Sequence, residues 1–358
     1  TVEALQYRFV TGRDSSIGDV LSNVIGGALG VLLAERWRDL LTPAARGARR
    51  LAIAGAAGWL GVLATTAWAL APSVPDVAYG VQWLPEDPTL ANYHGELLGA
   101  SLGGVPLPPG PLPERARAAL RAGAARLEAR VTTGNARDEF APIVRVRSAD
   151  SSDLAAIGER GCDLEFHLWS RVSDLRMRGP SVTVPRVFPC GGAVDRARGE
   201  PEGDTMVVSG ERDGSLIRVT ARGRGRDASR TLPLTPTLGW SFFFPWTYPF
   251  GGTHWPLSAL WVAGLLFPVA YWAGRARARR GPPALLAVVA LGLGALPPIA
   301  GLATPGIGEW AATLVGGAAG WALGWRAAGR PRPRAVEERD GEATSKGVTR
   351  GRRRAAAR

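Results

Sequence analysis

Five stretches of this chain, 17–34, 51–71, 256–273, 283–302 and 307–327, are apolar and almost free of charge through their centres. A bilayer core about 30 Å thick is crossed by roughly 20 helical residues, and a helix is one of the few structures that satisfies its own backbone there. A single stretch of this kind could be a buried helix of a water-soluble fold. Five in 358 residues predict a multi-pass α-helical membrane protein. Overall composition, 46% hydrophobic and 21% charged, hides this, because apolar and charged blocks alternate along the chain.

The formal net charge of +12 could indicate nucleic-acid binding, but the arginines are not spread over one face. They crowd into Arg36, Arg38, Arg46, Arg49 and Arg50, then Arg275, Arg277, Arg279 and Arg280, then the tail from Arg326 to Arg358. Placing these three groups in the cytoplasm satisfies the positive-inside rule at every crossing. Segments 72–254 and 303–306 then lie outside, with the N-terminal residues. The tail, 328–358, is basic, Pro-interrupted and poor in aromatics, the pattern of a disordered end drawn to anionic lipid rather than of a nucleic-acid arm. The bilayer is therefore the expected partner, and nucleic acid is not. The chain begins at Thr1 with no leading apolar segment, which predicts a fragment or the loss of upstream spans.

Between 74 and 237 the periodicity changes from helical to alternating. Runs at 126–133, 142–149, 162–172, 181–188, 205–211 and 215–223 read as half-buried strands, and only 114–123 reads as a helix. Short strands separated by Gly, Pro and Asp predict an extracytoplasmic all-β domain, an antiparallel β-sandwich of jelly-roll kind. Cys162 and Cys190, the only cysteines, fall inside it and predict a disulfide worth about 3 kcal/mol in the chain-entropy model. No His lies at ligand spacing from them, so no metal site is expected. Nor does any clustered Asp/Asn loop signal calcium, and no cofactor is expected. Downstream, 238–255 is dense in Trp, Phe, Tyr and Pro. It reads as an interfacial collar; the alternative for 240–244 is a strand and loop of the sandwich core.

Two clusters could carry chemistry. Asp163, Glu165, His167 and Trp169 alternate onto one strand face. Paired carboxylates beside a stacking aromatic are elements of a glycosidase or a lectin groove, and equally of a solvated face whose polarity alternation demands. The other cluster is in the first span, where Asp19, Asn23, Gly26 and Gly30 share a narrow helical stripe. Ser16 and Asp19 match a capping box, which could account for the aspartate. Asn23 lies a turn deeper and needs a partner across the helix interface, with Gly26 and Gly30 allowing its close approach. The spacing recurs at 307–320, where Glu309 stands for Asp19, Thr313 for Asn23, and Gly316 and Gly320 for Gly26 and Gly30. Internal duplication and chance in a Gly/Ala-rich helix both fit.

The segment 2–30 resembles the closing motif of the VanZ-like membrane proteins, through Glu3, Gln6, Gly12, Arg13, Asp19, Asn23, Gly26 and Gly30. The β-rich segment is similar to laminin G or concanavalin A-like jelly rolls, carried by its strand pattern and by "GCDLEFHLW". The resemblance implies a bacterial inner-membrane protein of a family linked in part to glycopeptide resistance. It divides the chain into a VanZ-like part (1–73), the sandwich (74–237), the collar (238–255), three further spans (256–327) and the tail (328–358). Two functions are then open. In one, a non-enzymatic envelope protein displays a glycan-binding or scaffold sandwich. In the other, an enzyme or transporter acts on a lipid-linked cell-wall intermediate through Glu3, Gln6, Arg13, Asp19 and Asn23 at the outer leaflet.

Overall fold

The computed structural model describes residues 17–86, 91–122, 126–133, 139–148, 153–175, 177, 179–190, 205–223, 226–243 and 254–329. Two helices come first, α1 (Ile17–Leu41) and α2 (Ala45–Ala69), parted at Pro43, which cannot continue a helix. The strands follow: β1 (Tyr79–Trp83), β2 (Leu97–Leu102), β3 (Val105–Pro106) and β4 (Gly110–Pro111), then helix α3 (Glu114–Arg121). After it come β5 (Arg126–Thr132), β6 (Phe140–Ser148), β7 (Asp153–Arg160), β8 (Asp163–Leu168), the single turn α4 (Arg171–Asp174) and β9 (Ser181–Val184). The last strands are β10 (Thr205–Asp213), β11 (Leu216–Gly223) and β12 (Arg226–Pro233). A 3₁₀ segment, Pro236–Phe243, leads to α5 (Trp255–Arg275). Then α6 (Gly281–Val289) runs through a π-helical stretch, Ala290–Ala295, into α7 (Leu296–Ile299), and α8 (Ile307–Ala328) closes the described chain.

All strand pairs are antiparallel, in two six-stranded sheets ordered β4-β1-β6-β7-β8-β9 and β12-β11-β10-β5-β2-β3. They face each other over one core. Phe166 of β8 fills it from the first sheet and lies so close to Gly210 of β10 in the second that any Cβ there would collide with its ring. Six strands escaped the sequence reading for physical reasons: β3 and β4 have two residues each, and β7 is buried on both faces, so it shows no alternation. The polar β12 is an edge strand that needs no apolar alternation, β2 is bulged between Leu97 and Gly99, and β1 has only five residues. Cys162 and Cys190 are joined in a disulfide.

The sandwich core does not stop at the expected boundaries near 73 and 237. Ala67 and Leu70 from the end of α2, Leu238 and Trp240 from the 3₁₀ segment, and Leu302 after α7 belong to the same buried cluster. For the described residues 238–243 this favours the alternative of a piece of the sandwich core over a collar in the headgroup layer. Trp240 is only 4% exposed, and its indole Nε1 donates to Ser258 Oγ of α5. Residues 244–253 lie outside the described residues.

Among the described residues, three helical stretches are long and apolar enough to cross a membrane: Ala45–Ala69, Trp255–Arg275 and Gly281–Ile299. Only 22%, 44% and 22% of their most apolar windows are buried in the protein, so most of that surface faces outward. Helix α8, expected as a fifth span, has the length but is less apolar, being built of Gly, Ala and Trp with Glu309 in its first turn. It packs instead against α5.

Contacts fix the helix directions. Gly316 sits against Ala263, Gly320 against Phe267 and Gly324 against Tyr271, so α8 runs parallel to α5, while α6 to α7 runs back along α8, with Gly281 against Trp321 and Gly294 near Trp310. In contrast, α2 is antiparallel to α5, with Gly55 against Val269 and Trp59 Nε1 donating to the Val262 carbonyl at 3.2 Å.

Candidate functional site

The polar row of β8 is held by the hairpin it forms with β7. Gly161 takes a positive φ of 62° in the turn, which suits glycine, and the register pairs Arg160 with Asp163. Arg160 thereby comes diagonally across from Glu165, within side-chain reach. Its Nε donates to Glu165 Oε2 at 2.5 Å. His167 Nε2 approaches Oε1 of the same carboxylate at 3.1 Å, off the hydrogen-bond direction, so that contact is mainly Coulombic. Phe140 of β6 covers the group, its ring edge-on to His167 at 4.8 Å and under the Arg160 guanidinium at 5.6 Å.

Glu165 is only 2% exposed. Burial raises its carboxyl pKa, but His167 and Arg160 more than offset that and hold it at about 2. The group is a fixed anion, unsuited to donating a proton near neutrality. The other members of the row are engaged elsewhere. Asp163 accepts from the Arg186 backbone N–H at 2.9 Å, and Trp169 donates its Nε1 to Asp174 at 2.7 Å while its ring packs on the core. The four residues therefore do not form one open sugar-binding platform. Arg160, which completes the cluster, was missed in the sequence because its partnership depends on the two-residue turn.

On the opposite face of the same hairpin, Glu159 points into the core beside Tyr93. It is 1% exposed, and both its oxygens lack a hydrogen-bond partner among the described residues. Desolvation lifts its pKa to about 8, so it is mainly protonated at neutrality. Burial, and then the Glu159 charge, raise the Tyr93 hydroxyl in turn.

At the junction between sandwich and helices, Glu309 accepts from Thr237 Oγ1 at 2.6 Å through one oxygen and from the Gly306 backbone N–H at 2.6 Å through the other. It thus makes the side-chain half of an N-terminal cap for α8. Thr237 also shares a 2.6 Å hydrogen bond with Thr235, and Thr313 donates to the Glu309 carbonyl. Nearby, Arg212 of β10 is 6% exposed and donates to the Leu70 carbonyl at the end of α2 at 3.0 Å. Desolvation lowers its pKa to about 10, which leaves it charged at neutrality.

At the far end of the helices, the side chains of α5 close over the exit of α1. Tyr271 donates to the Leu41 carbonyl, Trp272 to Leu40 at 2.8 Å and Arg275 to Pro43 at 3.1 Å, which satisfies carbonyls that a helix end leaves open. The arginines of 36–50, 275–280 and 326 therefore share one pole, and the sandwich occupies the other.

Of the first-span cluster, Glu3, Gln6 and Arg13 lie outside the described residues, as do the side chains of Asp19 and Asn23. Gly26 and Gly30 are described, and an added Cβ at either would meet nothing within 4 Å. Among the described residues, the expected close approach of a neighbouring helix is absent there. At Gly316 and Gly320 it is present, since a Cβ would lie 3.0 Å from the Ala263 carbonyl at the first and collide with the Phe267 carbonyl at the second. No grouping of His, Cys, Asp and Glu suited to a metal ion occurs among the described residues.

No protein-family model, curated protein or solved structure matches the chain.

Proposed function

We propose that this protein is a multi-pass bacterial inner-membrane protein whose helices seat the β-sandwich rigidly outside the cytoplasm, where it serves as a binding or scaffold module of the cell envelope. The observation that carries this reading is the polarity of the helical base: every arginine-rich turn lies at one end and the sandwich at the other. Such a base, inserted by the positive-inside rule, exposes the sandwich and its disulfide to an oxidising compartment.

Rigidity is supported by the shared core and by the Thr235–Thr237–Glu309 and Arg212–Leu70 links, which bury polar contacts across the joint. Binding is favoured over hydrolysis because a glycosidase acid needs a raised pKa, whereas the Glu165 carboxylate is held low by its neighbours His167 and Arg160. Envelope glycan is the proposed ligand class, met by the Arg160–Glu165–His167 face. A link to glycopeptide resistance or envelope maintenance follows from the VanZ-like motif alone.

The test is thiol labelling of the full-length protein in intact spheroplasts with a membrane-impermeant maleimide. Cys162 and Cys190 should label only after reduction with an impermeant reductant. Labelling that requires membrane lysis would place the sandwich in the cytosol and overturn the proposal. Full-length protein in nanodiscs should then bind immobilised cell-wall glycan, with loss in Arg160→Ala; equal retention on bare resin would discard the glycan.

A further inference from the structure

We propose that the groove between α6 and α8 is a binding site for one anionic phospholipid, its acyl chain between the helices and its phosphate on Arg279 and Arg326. The inference rests on the reading that these helices lie in a bilayer, and goes beyond it by assigning a site and a ligand class.

Two adjoining cavities make the groove. An apolar one of about 280 Å³ runs along the helices, walled by Leu285 and Val289 of α6 and by Leu314 of α8. Its one hydroxyl, on Thr313, is spent on the Glu309 carbonyl, so nothing in the wall asks for a polar guest. A second of about 490 Å³ opens at the basic pole and is lined by Arg279, Trp325 and Arg326. Pro282 and Trp321 border both, so the two spaces lie side by side. The chemistry therefore changes from one cavity to the next from hydrocarbon to cation, as a phospholipid changes from chain to headgroup.

The mouth is built rather than incidental. Trp321 and Trp325 stack with ring centroids 6.2 Å apart at 25°, and Arg277 lies over the Trp325 ring at 5.6 Å, which fixes one wall. Amphipathic Trp rings favour the headgroup level. Arg279 and Arg326 are both exposed, and neither is paired with a carboxylate among the described residues, so their charge is available to an anion. The N-terminus of α6, which begins at Gly281, adds its positive dipole end at the same mouth. A free anion would leave the apolar cavity unfilled, and an uncharged lipid would leave the two guanidinium groups without a counter-charge.

The experiment uses full-length protein in nanodiscs of equal parts phosphatidylcholine and phosphatidylglycerol, extracted into mild detergent, with retained lipid read by mass spectrometry of the intact complex. Wild type should keep phosphatidylglycerol in preference. The loss should be about 5-fold for each arginine removed and about 25-fold in Arg279→Ala/Arg326→Ala, with most of the preference restored in Arg279→Lys/Arg326→Lys. Ala318→Phe, which narrows the apolar cavity from an exposed position of α8 and leaves both arginines, should lose retention as well. Replacing the tail residues Arg352, Arg353 and Arg354 by Ala should change nothing. The proposal is overturned by a wild type without preference, by an unaffected double variant, by a tail variant that loses as much, or by displacement of the lipid with inorganic phosphate. Carbonate extraction of membranes separates the underlying reading: a chain that stays in the membrane without lipid preference sinks the groove alone, and a chain that washes out sinks both.

Discussion

Helices α1 and α8 carry nearly the same small-residue run, GGALG from Gly26 in one and GGAAG from Gly316 in the other, yet they live in different surroundings. In α8 the glycines form a seam on α5, with Gly320 and Gly324 facing the carbonyls of Phe267 and Tyr271 so closely that no Cβ fits. In α1 nothing lies within 4 Å of Gly26, Gly27 or Gly30, and Val24, Val31 and Trp37 stay exposed at 63%, 57% and 51%. Small residues permit close approach but do not attract a neighbour. Helix α1 is held to α5 at its end, by Tyr271 and Trp272 on the Leu41 and Leu40 carbonyls, whereas α8 is held at both ends. Glu309 ties its start to Thr237 on the sandwich side, and Arg277 stacks on Trp325 near its finish. The lesson concerns sequence motifs in general: a glycine spacing says where two helices can touch, and polar anchors decide whether they do.

This contrast can be broken most sharply at the seam. Gly324→Leu would drive a side chain into the Tyr271 carbonyl, a backbone atom that cannot move aside, and should cost more than about 3 kcal/mol. The same change at Gly30 should stay within about 0.5 kcal/mol. Melting of both variants in detergent, followed by size-exclusion recovery, checks the pair; equal loss at Gly30 would mean that α1 has a partner after all.

A smaller effect tests the anchor. Glu309→Ala leaves Thr237 and the Gly306 N–H without their acceptor at a buried joint, which should cost about 1–3 kcal/mol. Glu309→Gln keeps one acceptor oxygen and should cost less. If Glu309→Ala melts like wild type, the anchoring account of α8 fails.

The sandwich offers two titrations of opposite sign, both readable as apparent melting temperature against pH. Glu159 has a folded pKa raised from 4.5 to about 8, so it favours the folded state fully below pH 4.5 and loses that contribution progressively up to about pH 8. The slope should approach 1.4 kcal/mol per pH unit at most, and Glu159→Gln, which cannot ionise, should flatten it and be the more stable form at pH 8. Glu165 has a folded pKa lowered to about 2, so its contribution is present above pH 4.5 and disappears as pH falls toward 2. Glu165→Gln should remove that acid limb while losing the ion pair with Arg160 at every higher pH. A wild-type profile with neither limb would reject both environments. These effects belong to the sandwich pole alone, and the α5–α8 seam should show none of them.

How much of this was open to the sequence differs by region. The apolar stretches announced the helical base because a membrane-length run of Leu, Ala and Val needs no partner to be recognised. Strands such as β8, β10 and β11 were legible for the same reason, since one buried face writes alternation into the residues. Helix α8 is less apolar than the sequence suggests to the eye, because its Gly and Ala face serves close packing on α5. In the candidate site, Glu165 and His167 could be picked out by their shared strand face. Arg160 could not, because it joins them only after the chain turns at Gly161. Likewise Trp240 reads as an interface aromatic, and burial against Ser258 is what makes it core.

The sequence by itself determined the alternation of apolar helices with a β-rich block, the distribution of arginine and the single cysteine pair, since each is a property of residues near one another in the chain. Only the tertiary structure decided that Trp240 is core, that Glu309 answers to Thr237 across 72 residues, and that one glycine run is packed while the other meets no described neighbour. Such facts depend on which surfaces meet. The free energy of a meeting belongs to both partners, and no local stretch of residues records it.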